Sequence, residues 1–469
     1  MILLLHLLKI TKTVLISILI ILFGYSNINA QKDTYPSYII RAFENKENIE
    51  SLSFDKWEPS VIPDSIGVFS NLKDLKIFRN QLSELPESIG ELTNLEIFFI
   101  YETNLKEIPQ SFTKLIKLKD LRITHGKIKE ISYLMRLKEL RTLDLANNNI
   151  THVPKEIGGL NHLYWLEFHN NKLTYLPESI GKLTELEMLR VNKNKLKRLP
   201  ESIGNLKNLE MLELYKNKLR DLPDSFKNLT SLKRLYLIDN KFDALPTVIG
   251  DLKTLQSLSI GGLGLKTVPE FIENLTNLKS IGLERNKLKE FPEVVSTLEN
   301  LETLVLNQNK IKTLPQSLAK LTKLKKLYVL DIKLDSFPNA VSQLKNLEFL
   351  MLNENSIKSL PQSLTNLTKL EEIYLSDTKL DVFPEVIKDM EMLEELDLSK
   401  NNLSNIPYLI GNLKNLEVLI LNKNKLRNLP ETIKHLVNLK RLEITHNKLT
   451  EEEKQKIKQL LPESCKIYF

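Results

Sequence analysis

The sequence has one cysteine, Cys465, among 469 residues. A single thiol cannot form a disulfide within the chain, so the two ends of the fold must be closed by packing alone. The 14 glycines also build no phosphate-binding loop, because neither GxGxxG nor GxxxxGK can be written around Gly261, Gly262 and Gly264. We therefore expect no nucleotide site, and we expect Cys465 to be a buried residue of the C-terminal cap.

Sets of residues that carry chemistry are also missing. The seven histidines are scattered, and neither an HExxH motif nor a second ligand at metal spacing accompanies them. Carboxylates alternate with lysines, and the formal net charge of +7 contains no basic block of the kind that binds nucleic acid. We expect no catalytic residue, no metal, no cofactor and no nucleic-acid partner, and hence a protein that is not an enzyme.

The first 30 residues differ from the rest of the chain. They contain no acidic residue, two lysines, and an apolar run from Val14 to Phe23 that ends before Ala30 and the polar Gln31. This composition predicts a signal peptide that is cleaved after Ala30. The run is shorter than the roughly 20 residues that span a bilayer, which disfavours the alternative of an uncleaved anchor. We expect a secreted, periplasmic or cell-surface protein with no integral membrane span after cleavage.

From Ile49 to Leu449 the chain repeats the pattern LxxLxLxxNxLxxLPxxIGxLxN, with a period of 23 residues from Leu140 to Leu439. A unit of this size cannot close a core by itself, so its leucines must pack on those of the next unit in a stacked solenoid. The LxxLxL stretch alternates as a half-buried strand does, with Leu212 and Leu214 inward and Glu213 outward. Proline then ends the strand side and permits a short helical or 3₁₀ return.

The ninth position of the repeat is usually asparagine, whose amide both donates and accepts hydrogen bonds. We therefore predict a ladder of asparagines along the stack. Three of the replacing residues, Gly126, Leu263 and Ile332, cannot form this hydrogen bond. We therefore expect the backbone groups of their turns to be left to water or strain, and these units to be the weakest of the ladder. The asparagine is replaced in six units, by Trp57, Thr103, Gly126, Leu263, Ile332 and Thr378.

This repeat pattern recurs about eighteen times and resembles that of the leucine-rich repeat family over nearly the whole chain after residue 30. The LPxxIGxL half is similar to the 23-residue class of exported spirochaetal repeat proteins, and also to intracellular Ras-associated scaffolds. The resemblance implies an α/β fold, a right-handed solenoid or horseshoe with a parallel sheet on its concave face and short helical or 3₁₀ returns on its convex face. It also implies protein recognition.

The predicted domain organisation follows from these patterns. Residues 1–30 are the signal peptide, and residues 31–48 form an N-terminal cap that contains Ile39, Ile40 and Phe43. Residues 49–449 form the solenoid of about eighteen repeats. Residues 450–469 form a capping helix and strand, in which Thr450 and Glu453 make a capping box.

Candidate binding residues lie at positions that point outward from the strands. Most of these positions carry mixed charges, which is typical of a solvated, self-compensated face. Four consecutive units instead carry apolar or aromatic residues, and an apolar stripe on the solvent side of a strand is unusual. The alternative is that stripe residues only cover one another. The predicted partner-binding residues are Val305, Tyr328, Leu330, Phe349, Met351, Tyr374 and Ile420, with a smaller cluster at Phe78, Phe99 and Tyr101.

Our main hypothesis is an exported binding protein that recognises a protein partner, such as a host or cell-surface protein, through its concave face. Two alternatives remain open. One is an intracellular signalling scaffold like the Ras-associated proteins, which would be cytoplasmic and keep residues 1–30. The other is an adhesin that binds glycans or polyanions through basic residues, whose binding would weaken steeply with salt. Its candidate lysines are Lys320, Lys323, Lys325 and Lys326.

The first prediction concerns the N-terminus of the native protein. Because Ala30 and Gln31 carry the features of a cleavage site, we expect the mature chain to begin at Gln31. Mass spectrometry of the protein isolated from its native source measures this directly. A native chain that still carries residues 1–30 would contradict the prediction and favour the cytoplasmic alternative.

Overall fold

The computed structural model describes residues 46–55, 62–79 and 82–469. The predicted signal peptide, most of the predicted N-terminal cap, and Trp57 lie outside the described residues. The chain divides into two compact units, Met1–Leu173 and Thr174–Phe469. Among the described residues, no helix combines the length and the apolar character that crossing a bilayer requires.

In the first unit, six strands pair in parallel, each with the next along the chain. They are β1 Ser51–Asp55, β2 Asp74–Phe78, β3 Ile97–Tyr101, β4 Asp120–Thr124, β5 Thr142–Asp144 and β6 Trp165–Glu167. The 3₁₀ helices of this unit are Lys46–Asn48, Asp64–Val68, Glu87–Glu91, Gln110–Lys114, Ser132–Arg136 and Lys155–Gly159.

The second unit continues the same alternation, again with parallel pairing of consecutive strands. Its strands are β7 Met188–Arg190, β8 Met211–Glu213, β9 Arg234–Tyr236, β10 Ser257–Ser259, β11 Ser280–Gly282, β12 Thr303–Val305, β13 Lys326–Tyr328, β14 Phe349–Met351, β15 Glu372–Tyr374, β16 Glu395–Asp397, β17 Val418–Ile420, β18 Arg441–Glu443 and β19 Lys466–Tyr468. Its 3₁₀ helices are Glu178–Lys182, Glu201–Asn205, Asp224–Asn228, Thr247–Asp251, Glu270–Asn274, Glu293–Thr297, Gln316–Lys320, Asn339–Gln343, Gln362–Asn366, Glu385–Asp389, Tyr408–Asn412 and Glu431–His435, and helix α1 is Glu451–Leu460.

Each repeat buries its apolar positions between the strand and the return. Leu212 and Leu214 are fully buried, as predicted, and so is Phe226 in the return that follows them. A fully buried leucine side chain stabilises the fold by roughly 1.5–3 kcal/mol. The predicted fold class, with a parallel sheet on one side and 3₁₀ returns on the other, is confirmed. We call the side of each sheet that lies opposite the returns the outer sheet face.

Some returns, although not all, carry glycine at their fourth position, and there neighbouring returns pack closely; the return with Lys227 is an exception. Pro177 precedes the return in an extended conformation, and its carbonyl accepts the N–H of Ile180 at 3.0 Å. A Cβ on the following Gly181 would lie 2.3 Å from the carbonyl oxygen of Ser202 in the next return. Glycine therefore lets neighbouring repeats approach at the spacing that the strands set.

The predicted asparagine ladder is present, and its geometry ties each repeat to the preceding one. Asn309 is 3% exposed. Its Oδ1 accepts the N–H of Leu288 at 3.2 Å, and its Nδ2 donates to the carbonyls of Leu283 at 2.9 Å and Leu306 at 2.7 Å. One amide thus satisfies three backbone groups, two of which belong to the repeat before it.

Where Leu263 replaces the asparagine, the next rung takes on one additional bond. The N–H groups of Leu263 and Leu265 both donate to Oδ1 of Asn286 at 3.1 Å, of which the bond from Leu265 is the ordinary one. By analogy with Leu288 and Asn309, an asparagine at position 263 would accept the N–H of Phe242, and the bonds to Asn286 do not replace that contact. The expectation that Leu263 leaves groups of its turn to water or strain stays a prediction. In three of the units that lack the asparagine, the following residue adopts a left-handed conformation, with a φ of 77° at Gly264, 74° at Lys333 and 70° at Lys379.

The C-terminal end of the second unit is closed by α1 and β19. The Thr450 hydroxyl accepts the N–H of Glu453 at 3.2 Å, whereas the Glu453 carboxylate accepts the N–H of Leu429 at 3.1 Å. That carboxylate therefore joins the helix to the last repeat instead of completing a capping box. Cys465 is buried, and burial raises the pKa of its thiol.

The second prediction tests the asparagine ladder. Asn309→Ala leaves three backbone groups without the amide, so we expect the free energy of unfolding to fall by about 3 kcal/mol. The matched control is Asn300→Ala, because Asn300 makes an exposed bond to the carbonyl of Thr276 at 2.8 Å, and we expect it to cost less than about 1 kcal/mol. Urea denaturation followed by circular dichroism measures both. Equal losses would show that the ladder carries no special stability.

Candidate functional site

The stripe on the outer sheet face of the second unit is brought together by the strand register. Val305 lies opposite Tyr328, Tyr328 opposite Met351, and Met351 opposite Tyr374 on adjacent parallel strands. Neighbouring strands lie about 4.8 Å apart, so these four side chains form a continuous row. The structure therefore assembles the central residues of the predicted site.

Phe349 is the centre of a stack of aromatic rings. Its ring centroid lies 4.5 Å from that of Tyr328 and 5.2 Å from that of Tyr374. Phe349 is only 9% exposed, whereas Val305, Tyr328, Met351 and Tyr374 are half-buried. The rings thus cover part of one another, and the stripe is a packed, preordered patch rather than a set of bare side chains.

Two predicted members of the site stand apart from this stack. Leu330 follows β13, is half-buried, and donates its N–H to Oδ1 of Asn307 at 2.8 Å. Ile420 lies two strands beyond Tyr374, because Asp397 occupies the intervening position on β16. The structure therefore does not place Ile420 in the row.

Carboxylates border the stack, and the sequence reasoning missed them. The Tyr374 hydroxyl donates to Oε2 of Glu372 at 2.7 Å, and burial together with this bond raises the pKa of Tyr374. Burial also raises the pKa of Glu371, which Glu394 and Glu348 raise further. The signal was available, because Glu348, Glu371 and Glu394 recur at intervals of 23 residues. We call Glu372 and Glu395, the two carboxylates beside Tyr374, the acidic rim of the stack; on the other side, Lys326 lies opposite Phe349.

The lysines of the polyanion alternative are partly engaged within the chain. Lys323 Nζ donates to Oδ1 of Asn300 at 2.6 Å. Lys325 Nζ lies 3.4 Å from the carboxylate of Glu302. Of the four candidate lysines, the charge of Lys325 is therefore paired with a carboxylate, and Lys323 is held by a neutral amide.

In the first unit, Phe99 lies between two cations on neighbouring strands. Lys76 Nζ lies 5.5 Å and Arg122 Cζ 4.7 Å from the Phe99 ring centroid. Each cation is held by the aspartate two residues before it on its own strand, with Lys76 donating to Asp74 at 2.6 Å and Arg122 donating twice to Asp120 at 3.0 Å. Phe99 is therefore fixed by its own chain and forms the floor of the surrounding surface.

A cavity of about 330 Å³ opens beside Phe99, at the carboxyl ends of the strands. Phe78, Phe99 and Tyr101 form one wall, so the predicted cluster is brought together. Tyr101 packs edge-on against His125 with ring centroids 4.7 Å apart. A cavity was not predictable from the repeat pattern, because several of the residues that line it lie in turns. These include His125, Asn147 and His169.

Asp144 lines the same cavity and is half-buried. Its Oδ1 accepts the N–H of Ala146 at 2.9 Å. Burial raises the pKa of Asp144 to about 6; Glu167 raises it further, while His169 and Arg122 lower it too little to compensate. This half-buried carboxylate is therefore short of positive charge.

The neighbouring polar groups are mutually satisfied. Glu167 is 3% exposed, and it accepts hydrogen bonds from Trp165 Nε1 at 2.6 Å and from His169 Nδ1 at 3.0 Å. Partial burial lowers the pKa of His125. Within the described ranges, no group of three or more histidine, cysteine or acidic residues is arranged to hold a metal ion. The cavity therefore has an aromatic wall and one carboxylate, Asp144, whose charge its neighbours compensate only in part.

Comparison with known proteins identifies the repeat. The family model described as a leucine-rich repeat region matches residues 124–197 and 192–280. A second model, described as leucine rich repeat, matches residues 276–330 and 391–449. A comparison with the curated proteins finds no match.

Solved structures include similar chains from bacteria and plants. A leucine-rich repeat protein of Leptospira interrogans is 32% identical, with 92% of this chain and 98% of that chain covered and a TM-score of 0.60. The ectodomain of the Arabidopsis receptor kinase HAESA, solved with the peptide hormone IDA, is 27% identical, with coverages of 85% and 70% and a TM-score of 0.57. The GASSHO1/SCHENGEN3 ectodomain from Arabidopsis, solved with Casparian strip integrity factor 2, is 28% identical, with coverages of 86% and 53% and a TM-score of 0.53.

The third prediction follows from the position of Asp144. The pKa of a folded aspartate that is raised from 3.8 to about 6 means that its charged form destabilises the fold, so stability is lost as the pH rises through this window. After allowance for partial exposure, we expect Asp144→Asn to raise the free energy of unfolding by about 1–2 kcal/mol at pH 7.5. The asparagine Oδ1 still accepts the N–H of Ala146.

The gain is expected to shrink as the pH is lowered from 7 to 4, because the wild-type carboxyl then becomes neutral too. Asp243→Asn is the control, since the Asp243 side chain is 84% exposed. Thermal unfolding at several pH values measures both variants. An Asp144→Asn gain that does not depend on pH would contradict the argument from charge.

Proposed function

Because this chain belongs to the leucine-rich repeat family, we propose that it is a non-enzymatic protein that binds a protein partner through its outer sheet face. The observation that carries the proposal is the aromatic stack of Tyr328, Phe349 and Tyr374 on that face. Two similar plant ectodomains were solved with the peptide hormone IDA and with Casparian strip integrity factor 2, which supports recognition of such partners by this fold.

The stack has properties that favour binding over simple packing. Tyrosine and methionine present large apolar surfaces and remain compatible with water when unbound, which is why interfaces are enriched in them. Mutual contact fixes the rings before a partner arrives, so little side-chain entropy is lost on association. Four adjacent strands from β12 to β15 give about 14 Å of this surface.

The acidic rim narrows the chemistry of the partner. Glu372 and Glu395 lie beside Tyr374 on adjacent strands, so the complementary surface has an apolar centre and basic residues at that edge. We propose that the partner is presented outside the cell, for example as a host or cell-surface protein, because the composition of residues 1–30 is that of an export signal. Adhesion is one activity that fits such a protein.

The fourth prediction tests the stack. We expect the double variant Tyr328→Ala and Tyr374→Ala to lower affinity for the partner by about 2 kcal/mol or more, since both rings would form the centre of the interface. Candidate partners are captured from host or envelope extracts with the wild-type protein, and affinities are measured by surface plasmon resonance.

Tyr236→Ala is the matched control. Tyr236 is also half-buried and occupies the same repeat position on β9, outside the stack. A partner that depends on the stack is lost with the double variant and retained with the control. Circular dichroism of each variant separates lost binding from lost folding, because removal of two rings also uncovers Phe349. Unchanged binding by a folded double variant would refute the proposed site.

A further inference from the structure

We propose that the cavity in the first unit is a receptor for a cationic side chain, an arginine in particular, which the protein partner inserts between Tyr101 and Asp144. The inference rests on the proposed function, since it assigns one anchor of that partner. It names a second site, on residues 78–169, that is separate in sequence from the aromatic stack.

The charge inventory around the cavity favours a cation. Arg122 is already neutralised by its two hydrogen bonds to Asp120, and that pairing raises the pKa of Arg122. Asp144 has only the N–H of Ala146 as a hydrogen-bond donor among the described residues. Glu102 adds a second negative charge close to His125. An entering cation would therefore meet an excess of carboxylate.

The aromatic wall favours a planar cation over a small inorganic one. Tyr101 is 37% exposed and stands at the edge of the cavity. A guanidinium group stacks on aromatic faces and donates several hydrogen bonds in one plane. The chain already uses this contact internally, because Arg122 lies over the Phe99 ring at 4.7 Å. A volume of about 330 Å³ leaves room for one long side chain.

The turns that frame the cavity are fixed before a ligand arrives. Glu102, His125 and Asn147 adopt left-handed backbone conformations, with φ of 56°, 58° and 56°. The buried Asn148 holds the turn from below, donating to the carbonyls of Ile123 at 2.7 Å and Ala146 at 3.1 Å. A site built on such turns is preorganised, which reduces the entropy that binding must overcome.

The retention of a carboxylate that opposes folding also points to a role in binding. Burial raises the pKa of Asp144, so its charge is maintained at a cost to stability. Groups of this kind are concentrated at functional sites, where a ligand supplies the missing compensation. Burial also raises the pKa of Asp397, the aspartate at the equivalent repeat position in the second unit, so the shift alone does not mark a site. Asp397 accepts the N–H of Ser399 at 2.8 Å, is only 9% exposed, and is not among the residues that line the cavity.

The fifth prediction uses small probes, so that no partner is needed. Isothermal titration at pH 7.5 compares N-acetylarginine amide with N-acetylcitrulline amide, which has a similar shape and no charge. We expect the arginine probe to bind wild-type protein with a Kd in the millimolar range, on the order of a weak single anchor. We expect citrulline to bind at least about tenfold more weakly, because it cannot compensate Asp144.

Variants of the full-length chain identify the site. Asp144→Asn is expected to weaken arginine binding about tenfold, and Tyr101→Ala several-fold, through loss of the charge and of the ring. Asp397→Asn is the matched control and is expected to change nothing. Equal binding of the two probes, normal binding by Asp144→Asn, or an equal loss in Asp397→Asn would each overturn the inference.

The outcomes separate this inference from the proposed function. Arginine binding that is lost with Asp144→Asn supports the pocket even if the aromatic stack captures no partner. A partner that depends on Tyr328 and Tyr374, together with no arginine binding to wild-type protein, refutes the pocket and leaves the proposed function intact. The double variant in the second unit should bind the arginine probe normally.

Discussion

The buried asparagine that most repeats carry is the interaction on which the rest of the structure depends. Leucine burial supplies most of the stabilising free energy, but apolar contact is not directional and does not by itself fix one repeat on another. An amide such as that of Asn309 accepts from one backbone N–H and donates to two carbonyls, so it fixes both the turn and the distance between repeats. The register of the outer sheet face follows from this constraint.

Periodic features of the structure were predictable from the sequence because they depend on residue spacing alone. Leu212 and Leu214 are inward, Pro177 precedes a return, and Asn309 forms a rung, as the pattern indicates. The behaviour of the irregular units was not predictable. The N–H of Leu263 donates to Asn286 in the next repeat, and a single repeat read alone does not contain that information.

The candidate sites, too, were predictable only where they depend on residue spacing. The row from Val305 to Tyr374 follows from equal positions in successive repeats, so the sequence predicts it. The burial of these side chains does not follow from the repeat pattern, because Phe349 occupies a different outward position and its ring contacts both Tyr328 and Tyr374. The cavity beside Phe99 was missed for a related reason, since turn residues such as His125 and Asn147 form part of it and carry no periodic signal.

The unit that opens at Leu118 is one residue shorter than its neighbours, because the next unit opens at Leu140. This difference has a consequence for how the protein can change in length. Asn148 bonds backwards over 20 and 25 residues, where Asn171 bonds over 21 and 26. Equivalent backbone groups are joined in both cases, so the residue lost from that unit is absorbed outside the strand and its turn. Deletions in a return, and duplications of whole repeats, therefore leave the bonding intact, and evolution can lengthen or shorten such a protein without redesigning its interior.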